Sequence, residues 1–121
     1  MKYEWLDEYC LNKKGVDKDF KVEWNATRYL IRGKMFIMQG GDKEGTPIVT
    51  IKCEPSFGRF LRDEYEDIIP GYYMNKEHWS SVYISGSVPD ELVKQMIDMS
   101  YNLVLTSLSK KVEKEIIGEN L

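Results

Sequence analysis

The single histidine of this 121-residue chain, His78, limits the catalytic chemistry that the sequence can support. Ser80 and Ser81 follow it closely, which formally allows a Ser-His-Asp arrangement. Adjacency along a strand does not create nucleophile geometry, however, and the sequence has no nucleophile-elbow pattern. We therefore expect His78 to be structural, bonding to backbone groups of a tight turn, and we expect the protein not to be an enzyme.

Metal and cofactor chemistry has equally little support in the sequence. Two distant cysteines, Cys10 and Cys53, give no zinc spacing with one histidine, and each adjoins apolar residues, so we interpret them as buried hydrophobes. The acidic run over 63–67 is typical of a solvated helix face. The stretch 40–45 contains glycines and a lysine but lacks P-loop spacing, and it predicts a hairpin turn. We expect no metal and no cofactor.

Basic residues interleaved with aromatics are the groups that remain for recognition. Such a set suits phosphate contacts and base stacking. The candidates are Arg28, Arg32, Lys34, Lys52 and Lys76, with Trp79 and Tyr83 available for stacking. The net charge is −3, with +2 on residues 1–60 and −5 on residues 61–121, so attraction to an anion must come from a local patch in the first half.

The elements that must position these residues follow from periodicity and turn chemistry. We expect a helix over 3–14, a short strand near 22–24, and a hairpin whose strands, 28–32 and 35–39, flank Gly33-Lys34. A third strand covers 46–53. A helix opens at Pro55 and runs to about residue 67, with Phe57, Phe60, Leu61 and Tyr65 on one face. Strands over 68–74 and 79–85 precede helices starting at Pro89 and Ser109.

This order, α-β-β-β-α-β-β-α-α, predicts one α+β domain spanning residues 1–121. We expect two layers: a mainly antiparallel sheet of about five strands, with helices packed on one face. Strand parity places Tyr29, Ile31, Val49 and Ile51 toward the helices. The opposite, open face should gather polar, basic and aromatic side chains: Arg28, Arg32, Thr50, Lys52, Trp79, Ser81 and Tyr83.

The stretch from Pro70 to Leu92, PGYYMNKEHWSSVYISGSVPDEL, contains a specific pattern. An Asn-Lys-x-His-Trp segment, Asn75 to Trp79 with Lys76 and His78, is followed by a strand, a Gly turn and a Pro-Asp helix start. Flanking segments agree: Trp24-Asn25-Ala26-Thr27, Lys52-Cys53-Glu54-Pro55, Leu61-Arg62 and Ile97-Asp98-Met99-Ser100-Tyr101. Over nearly its whole length the chain resembles the MmcQ/YjbR family.

The resemblance implies a fold similar to the CyaY-like and secretion-chaperone-like two-layer domains. It also implies DNA binding through a double-wing arrangement, in which protruding hairpins flank a groove, and no catalytic role. On this chain the wings would be the Gly33-Lys34 hairpin and the Asn75–Trp79 connection. Binding to DNA should then be weak and without sequence preference.

A second interpretation stays open beside DNA binding. The same face or groove could hold a protein or an anionic small ligand without nucleic acid, in which case an apolar groove or an unpaired strand edge is expected. The N-terminal segment carries charges throughout, which argues against an export signal. The sequence has no apolar run of about 20 residues, which argues against a membrane span. We expect a cytoplasmic protein.

Overall fold

The computed structural model describes residues 2–71 and 74–118, and its elements follow the predicted order with one additional strand. The elements are α1 (Leu6–Leu11), β1 (Val16–Lys21), a 3-10 turn (Val22–Trp24), β2 (Ala26–Ile31), β3 (Lys34–Gly41), β4 (Pro47–Lys52), α2 (Pro55–Glu64), β5 (Ile68–Pro70), β6 (Trp79–Tyr83), α3 (Asp90–Ser107) and α4 (Lys110–Gly118).

The strands form one fully antiparallel sheet in the order β1-β2-β3-β4-β6-β5. This confirms the α+β class, with six strands where about five were expected. The extra strand is β1, and the segment 22–24 predicted as a strand is instead the 3-10 turn that links β1 to β2. The strand expected over 68–74 is formed at Ile68–Pro70, and residues 72 and 73 lie outside the described residues.

All four helices pack on one face of the sheet, which we call the helix face. Tyr29, Ile31, Val49 and Ile51 are buried there, as strand parity predicts. The long helix α3 covers β3 and β4, and its Ser100 hydroxyl donates to the carbonyl oxygen of Phe36 at 2.6 Å. The buried stripe of α3 comprises Val93, Met96, Ile97, Tyr101 and Val104.

Helix α1 is shorter than predicted and is held against α3 by polar contacts. It begins at Leu6 because Tyr3 has a φ of 61°, which no right-handed helix accommodates. The Tyr9 hydroxyl donates to Asp98 at 2.8 Å, and the Lys13 ammonium lies 2.6 Å from the same carboxylate. These contacts fix the N-terminal segment across the helix face.

Helix α2 begins where its sequence predicts, since the Glu54 carboxylate accepts hydrogen bonds from the backbone N–H groups of Ser56 and Phe57. It ends at Glu64, earlier than expected. Phe60 was predicted on its buried face together with Leu61, but Phe60 is 57% exposed. Only Gly58 and Leu61 of this helix are buried, because α2 covers the narrow end of the sheet at β5 and β6.

Candidate functional site

The second face of the sheet, opposite the helix face, is less open than the sequence predicts. Thr50 and Ser81 were expected to be exposed there, yet both are fully buried, and their hydroxyls form a hydrogen bond of 2.7 Å. Leu30, Met38 and Ile48 on the same face are also buried. This face is therefore a second, smaller packed layer and not a flat polar platform.

The connection between β5 and β6 contributes to that layer. Met74, within this connection, lies beside Met38 and Gly40 of the sheet. A sequence pattern of strands and turns gives no indication that Met74 comes to lie beside Met38 of the sheet. The expectation of an open polar face was wrong, because Thr50 and Ser81 are buried.

The second face opens into a cleft of about 350 Å³ at the end of the sheet where β1 turns into β2. Its lining residues are Glu23, Trp24, Ala26, Met38, Gly40, Gly41 and Met74. Trp24 is 50% exposed and is one of the residues that line this cleft. The sequence singled out none of these residues as a site, because they come from three segments.

Two cations flank the Trp24 ring. The Lys21 ammonium lies 5.3 Å from the ring centroid and the Arg28 guanidinium carbon 5.7 Å from it. Both distances are within the range of cation–π attraction. These contacts hold the indole in place beside the cleft.

Acidic partners neutralise the cations at this cleft. The Arg28 Nε and Nη2 atoms donate to the two carboxylate oxygens of Asp19 at 2.8 and 2.5 Å. This bidentate hydrogen bonding lowers the pKa of Asp19 and raises that of Arg28. The Lys21 ammonium lies 3.6 Å from Glu23. Two cations and two carboxylates thus leave the rim with no net charge.

Arg32 does not lie in the sheet with Arg28, and this part of the prediction was wrong. Ile31 pairs with Lys34, so the two-residue turn is Arg32-Gly33, one residue earlier than expected. Both turn residues have positive φ, 49° and 82°, as a type I′ turn requires. The Arg32 guanidinium lies 4.0 Å from Glu115 of α4, on the helix side. Arg28 and Arg32 are therefore not parts of one patch.

Three of the predicted cations lie at the other end of the sheet, but the strand register places Lys34, opposite Ile31, on the helix face and Lys52, opposite Trp79, on the second face. Lys34 opens β3, Lys52 closes β4, and Lys76 lies in the turn before β6. The Lys52 ammonium is 6.0 Å from the Trp79 ring centroid, so one cation and one aromatic of the predicted set are adjacent. Lys34 and Lys76 are exposed.

Tyr83, the other predicted stacking residue, lies far from that end. Its hydroxyl donates to Asp42 Oδ2 at 3.1 Å, while Asp42 Oδ1 accepts the backbone N–H groups of Glu44 and Thr46, each at 2.9 Å. Tyr83 thus braces the turn between β3 and β4. The structure does not bring it close to Trp79.

The Asn75–Trp79 connection is organised by Asn75. Its side-chain oxygen accepts hydrogen bonds from the backbone N–H groups of Glu77 at 2.9 Å and His78 at 3.3 Å. The His78 side chain was expected to hold this turn, but it is exposed, and the asparagine serves instead. Trp79 is more than half buried, as predicted.

The hydroxyl and thiol groups near His78 are engaged or enclosed. Ser80 accepts a hydrogen bond from Arg62 Nη1 at 2.8 Å, and Cys53 is buried beside it. Burial raises the pKa of the Cys53 thiol to about 11 and that of Cys10 to about 12. Both cysteines are buried hydrophobes, as predicted.

Two negative findings apply to residues 2–71 and 74–118. Within them, no three His, Cys, Asp or Glu side chains come close enough together to hold a metal ion. None of the helices described there combines the length and apolar character needed to cross a bilayer.

Comparison with known proteins identifies relatives across most of the chain. The family model described as YjbR matches residues 11–103. The protein YjbR of Escherichia coli strain K12 is 31% identical over 112 residues, which cover 93% of this chain and 94% of that protein. YbdF of Escherichia coli O157:H7 is 34% identical over 88 residues, covering 73% of this chain and 71% of YbdF.

Solved structures agree with the fold. A crystal structure of a Deinococcus radiodurans protein with a DUF419 domain has a TM-score of 0.81 and 27% identity, over 92% of this chain and 84% of that one. A Pseudomonas syringae protein, at 21% identity and a TM-score of 0.74, covers 86% of this chain and 99% of its own and supports the fold alone. With the sequence match over residues 11–103, these findings show that the chain belongs to the YjbR family.

Proposed function

We propose that this protein is a binding protein without catalytic activity, and that the cleft between Trp24 and Met74 receives an apolar side chain of a partner polypeptide. The observation that carries the proposal is the half-exposed Trp24 on the wall of a 350 Å³ apolar cleft. Exposed tryptophan is costly to leave in water, and it is the residue type most enriched among binding hot spots.

The lining of the cleft supports a side chain as the occupant. Its volume lies at the lower end of the range for small-molecule pockets, which suits one or two side chains. Met38 and Met74 offer flexible, polarisable walls that adapt to different apolar groups. Gly40 and Gly41 contribute no side chain to the lining, which leaves the space of the cleft open to a side chain of the partner.

The charges favour a polypeptide over an anionic ligand. Arg28 already bonds both oxygens of Asp19, and Lys21 lies beside Glu23. An anion entering the cleft would have to displace those carboxylates. Recognition here therefore depends on apolar burial, and salt should affect it little.

Selection from a library of random 12-residue peptides tests this function. Enriched peptides should carry a large apolar residue, and Trp24→Ala should weaken their binding at least tenfold, about 1.4 kcal/mol, by calorimetry. Phe60→Ala is the matched control, because Phe60 is 57% exposed and lies on α2, away from the cleft. Peptides that bind the Trp24→Ala variant as tightly as the unmodified protein would exclude the cleft as the site.

Nucleic-acid binding is the second candidate, and the adjacency of Lys52 and Trp79, with Lys34 and Lys76 exposed at the same end of the sheet, favours it. With about three phosphates neutralised, log affinity for DNA should fall against log salt with a slope of about −2.7. A double variant, Lys34→Glu with Lys76→Glu, should abolish mobility shifts of random duplex and single strands. Lys110→Glu with Lys111→Glu on α4 is the control. If no mobility shift appears at low salt, nucleic-acid binding is excluded and polypeptide binding at the cleft remains as the function.

A further inference from the structure

The part of the cleft that the sheet contributes carries almost no side-chain atoms. Ala26 of β2 lines it together with Gly40 and Gly41 of β3. A Cβ atom placed on Gly40 would lie 3.2 Å from the Ala26 Cβ, so these two residues are close neighbours on the second face. Glycine within a strand often marks a place where another group approaches the sheet closely. The sheet therefore offers a nearly flat surface, against which a planar group packs well.

The three large side chains that line the cleft are of types that favour aromatic partners. An indole such as that of Trp24 packs with other rings edge-to-face or in offset stacks. The thioethers of Met38 and Met74 make favourable contacts with the edges of rings. Among residues 2–71 and 74–118, no leucine, isoleucine or valine lines the cleft, so no branched aliphatic side chain contributes to its walls.

The charges beside the cleft favour a neutral ring over a cation. A tryptophan ring also attracts ammonium and guanidinium groups. Here, however, the Lys21 ammonium and the Arg28 guanidinium already lie 5.3 and 5.7 Å from the Trp24 ring centroid. A third cation would be repelled by these two. Attraction to Trp24 is therefore left to an uncharged group.

We infer that the cleft is specific for an aromatic side chain of the partner polypeptide, which packs its ring against Trp24, Met38 and Met74. The inference rests on the proposed function, because it names the kind of side chain that the cleft selects. It goes further than that function, since burial of apolar area alone would favour a saturated ring as much as an aromatic one. The distinguishing contacts are those between the ring, the indole and the two sulfur atoms.

A comparison of two capped amino acids tests this specificity. N-acetyl-phenylalaninamide and N-acetyl-cyclohexylalaninamide differ only in whether the six-membered ring is aromatic. Both are titrated into the whole chain, with the methyl groups of its six methionines observed by NMR spectroscopy. The phenylalanine amide should bind about threefold more tightly or better. Its ring current should shift the methyl signals of Met38 and Met74 and leave those of the other methionines unchanged.

A methionine variant tests the contribution of sulfur. Met74→Leu keeps an apolar side chain of similar volume and removes the thioether. The ratio of the two affinities should therefore fall at least twofold in this variant. Met99→Leu is the matched control, because Met99 lies on α3, which packs on the helix face, on the opposite side of the sheet. Its affinity ratio should equal that of the unmodified protein.

Four results would each overturn the inference: equal or tighter binding of the cyclohexylalanine amide, ring-current shifts at methionines outside the cleft, an unchanged affinity ratio in Met74→Leu, or no shift at the cleft with either amide. The proposed function fails on a different result. It is excluded if random peptides bind the Trp24→Ala variant as tightly as the unmodified protein. Selected peptides that depend on Trp24 but bind through an aliphatic residue would keep the function and overturn the aromatic specificity.

Discussion

The backbone N–H of Gly71 donates to the carbonyl oxygen of Trp79 at 2.7 Å and closes the connection that carries Met74. A Cβ atom at position 71 would lie 2.5 Å from the Trp79 Cβ and 2.8 Å from its carbonyl oxygen. Such contacts are shorter than any packed structure tolerates. Glycine at this position therefore allows the close approach of the chain at position 71 to Trp79.

Gly71→Ala should destabilise the protein by about 1–3 kcal/mol, the usual cost of overpacking. Urea denaturation measures this loss. Gly33→Ala is the control, because Gly33 lies in open space and its substitution carries only the cost of a positive φ, about 1 kcal/mol. A Gly71→Ala variant as stable as the unmodified protein would mean that the connection can move away from Trp79.

Asn75→Ala should cost more stability than His78→Ala. The asparagine side chain accepts two backbone hydrogen bonds, and losing them costs about 1 kcal/mol, while the exposed histidine should change stability by less than about 0.5 kcal/mol. Thermal denaturation of the two variants decides the question. A larger loss for His78→Ala would restore the expectation drawn from the sequence.

The helix face could be predicted from the sequence because side-chain alternation has period two. Tyr29 and Ile31 alternate with Arg28, Leu30 and Arg32, and a one-residue error would have exchanged the faces. The same rule failed at Arg32. The sequence predicts a Gly33-Lys34 turn, but the turn is Arg32-Gly33, so Arg32 lies outside the strand. Strand β1 was missed because an edge strand exposed on both faces needs no apolar alternation, and Asp17 to Lys21 has none.

The cleft could not be predicted from local pattern. Trp24, Met38 and Met74 are separated by 14 and 36 positions, and only the tertiary fold brings them to one cleft. The local signal available was Trp24 itself, an aromatic residue next to the turn residue Asn25, which has a φ of 49°. Tertiary packing, not periodicity, places the candidate site.

Ser80→Ala should destabilise the protein by about 1–2 kcal/mol. Ser80 is fully buried, and its loss leaves the Arg62 guanidinium without its 2.8 Å acceptor. Ser85→Ala, at an exposed position, is the matched control and should change stability by less than about 0.5 kcal/mol. Equal urea midpoints for the two variants would show that water replaces Ser80 as the hydrogen-bond acceptor of Arg62.

Stability should fall as pH rises above about 9, because several buried acids keep their protons in the folded state. Burial raises the pKa of Cys53 to about 11 and those of Cys10, Tyr3 and Tyr9 to about 12. An unfolded thiol titrates near 8.5 and an unfolded phenol near 10. Between those values and the folded ones, the unfolded chain binds fewer protons, so rising pH favours unfolding.

The stabilising contribution of each group is complete below its unfolded pKa and is lost progressively toward its folded pKa. Urea midpoints measured from pH 8 to pH 11 should therefore decline, first through the thiols and then through the phenols. A double variant, Cys10→Ala with Cys53→Ala, should flatten the decline between about pH 9 and 10 and leave the steeper loss above pH 10. A midpoint constant up to pH 10 in the unmodified protein would mean that the thiols titrate normally and are not enclosed. Native thiols should also resist a disulfide reagent until urea unfolds the chain.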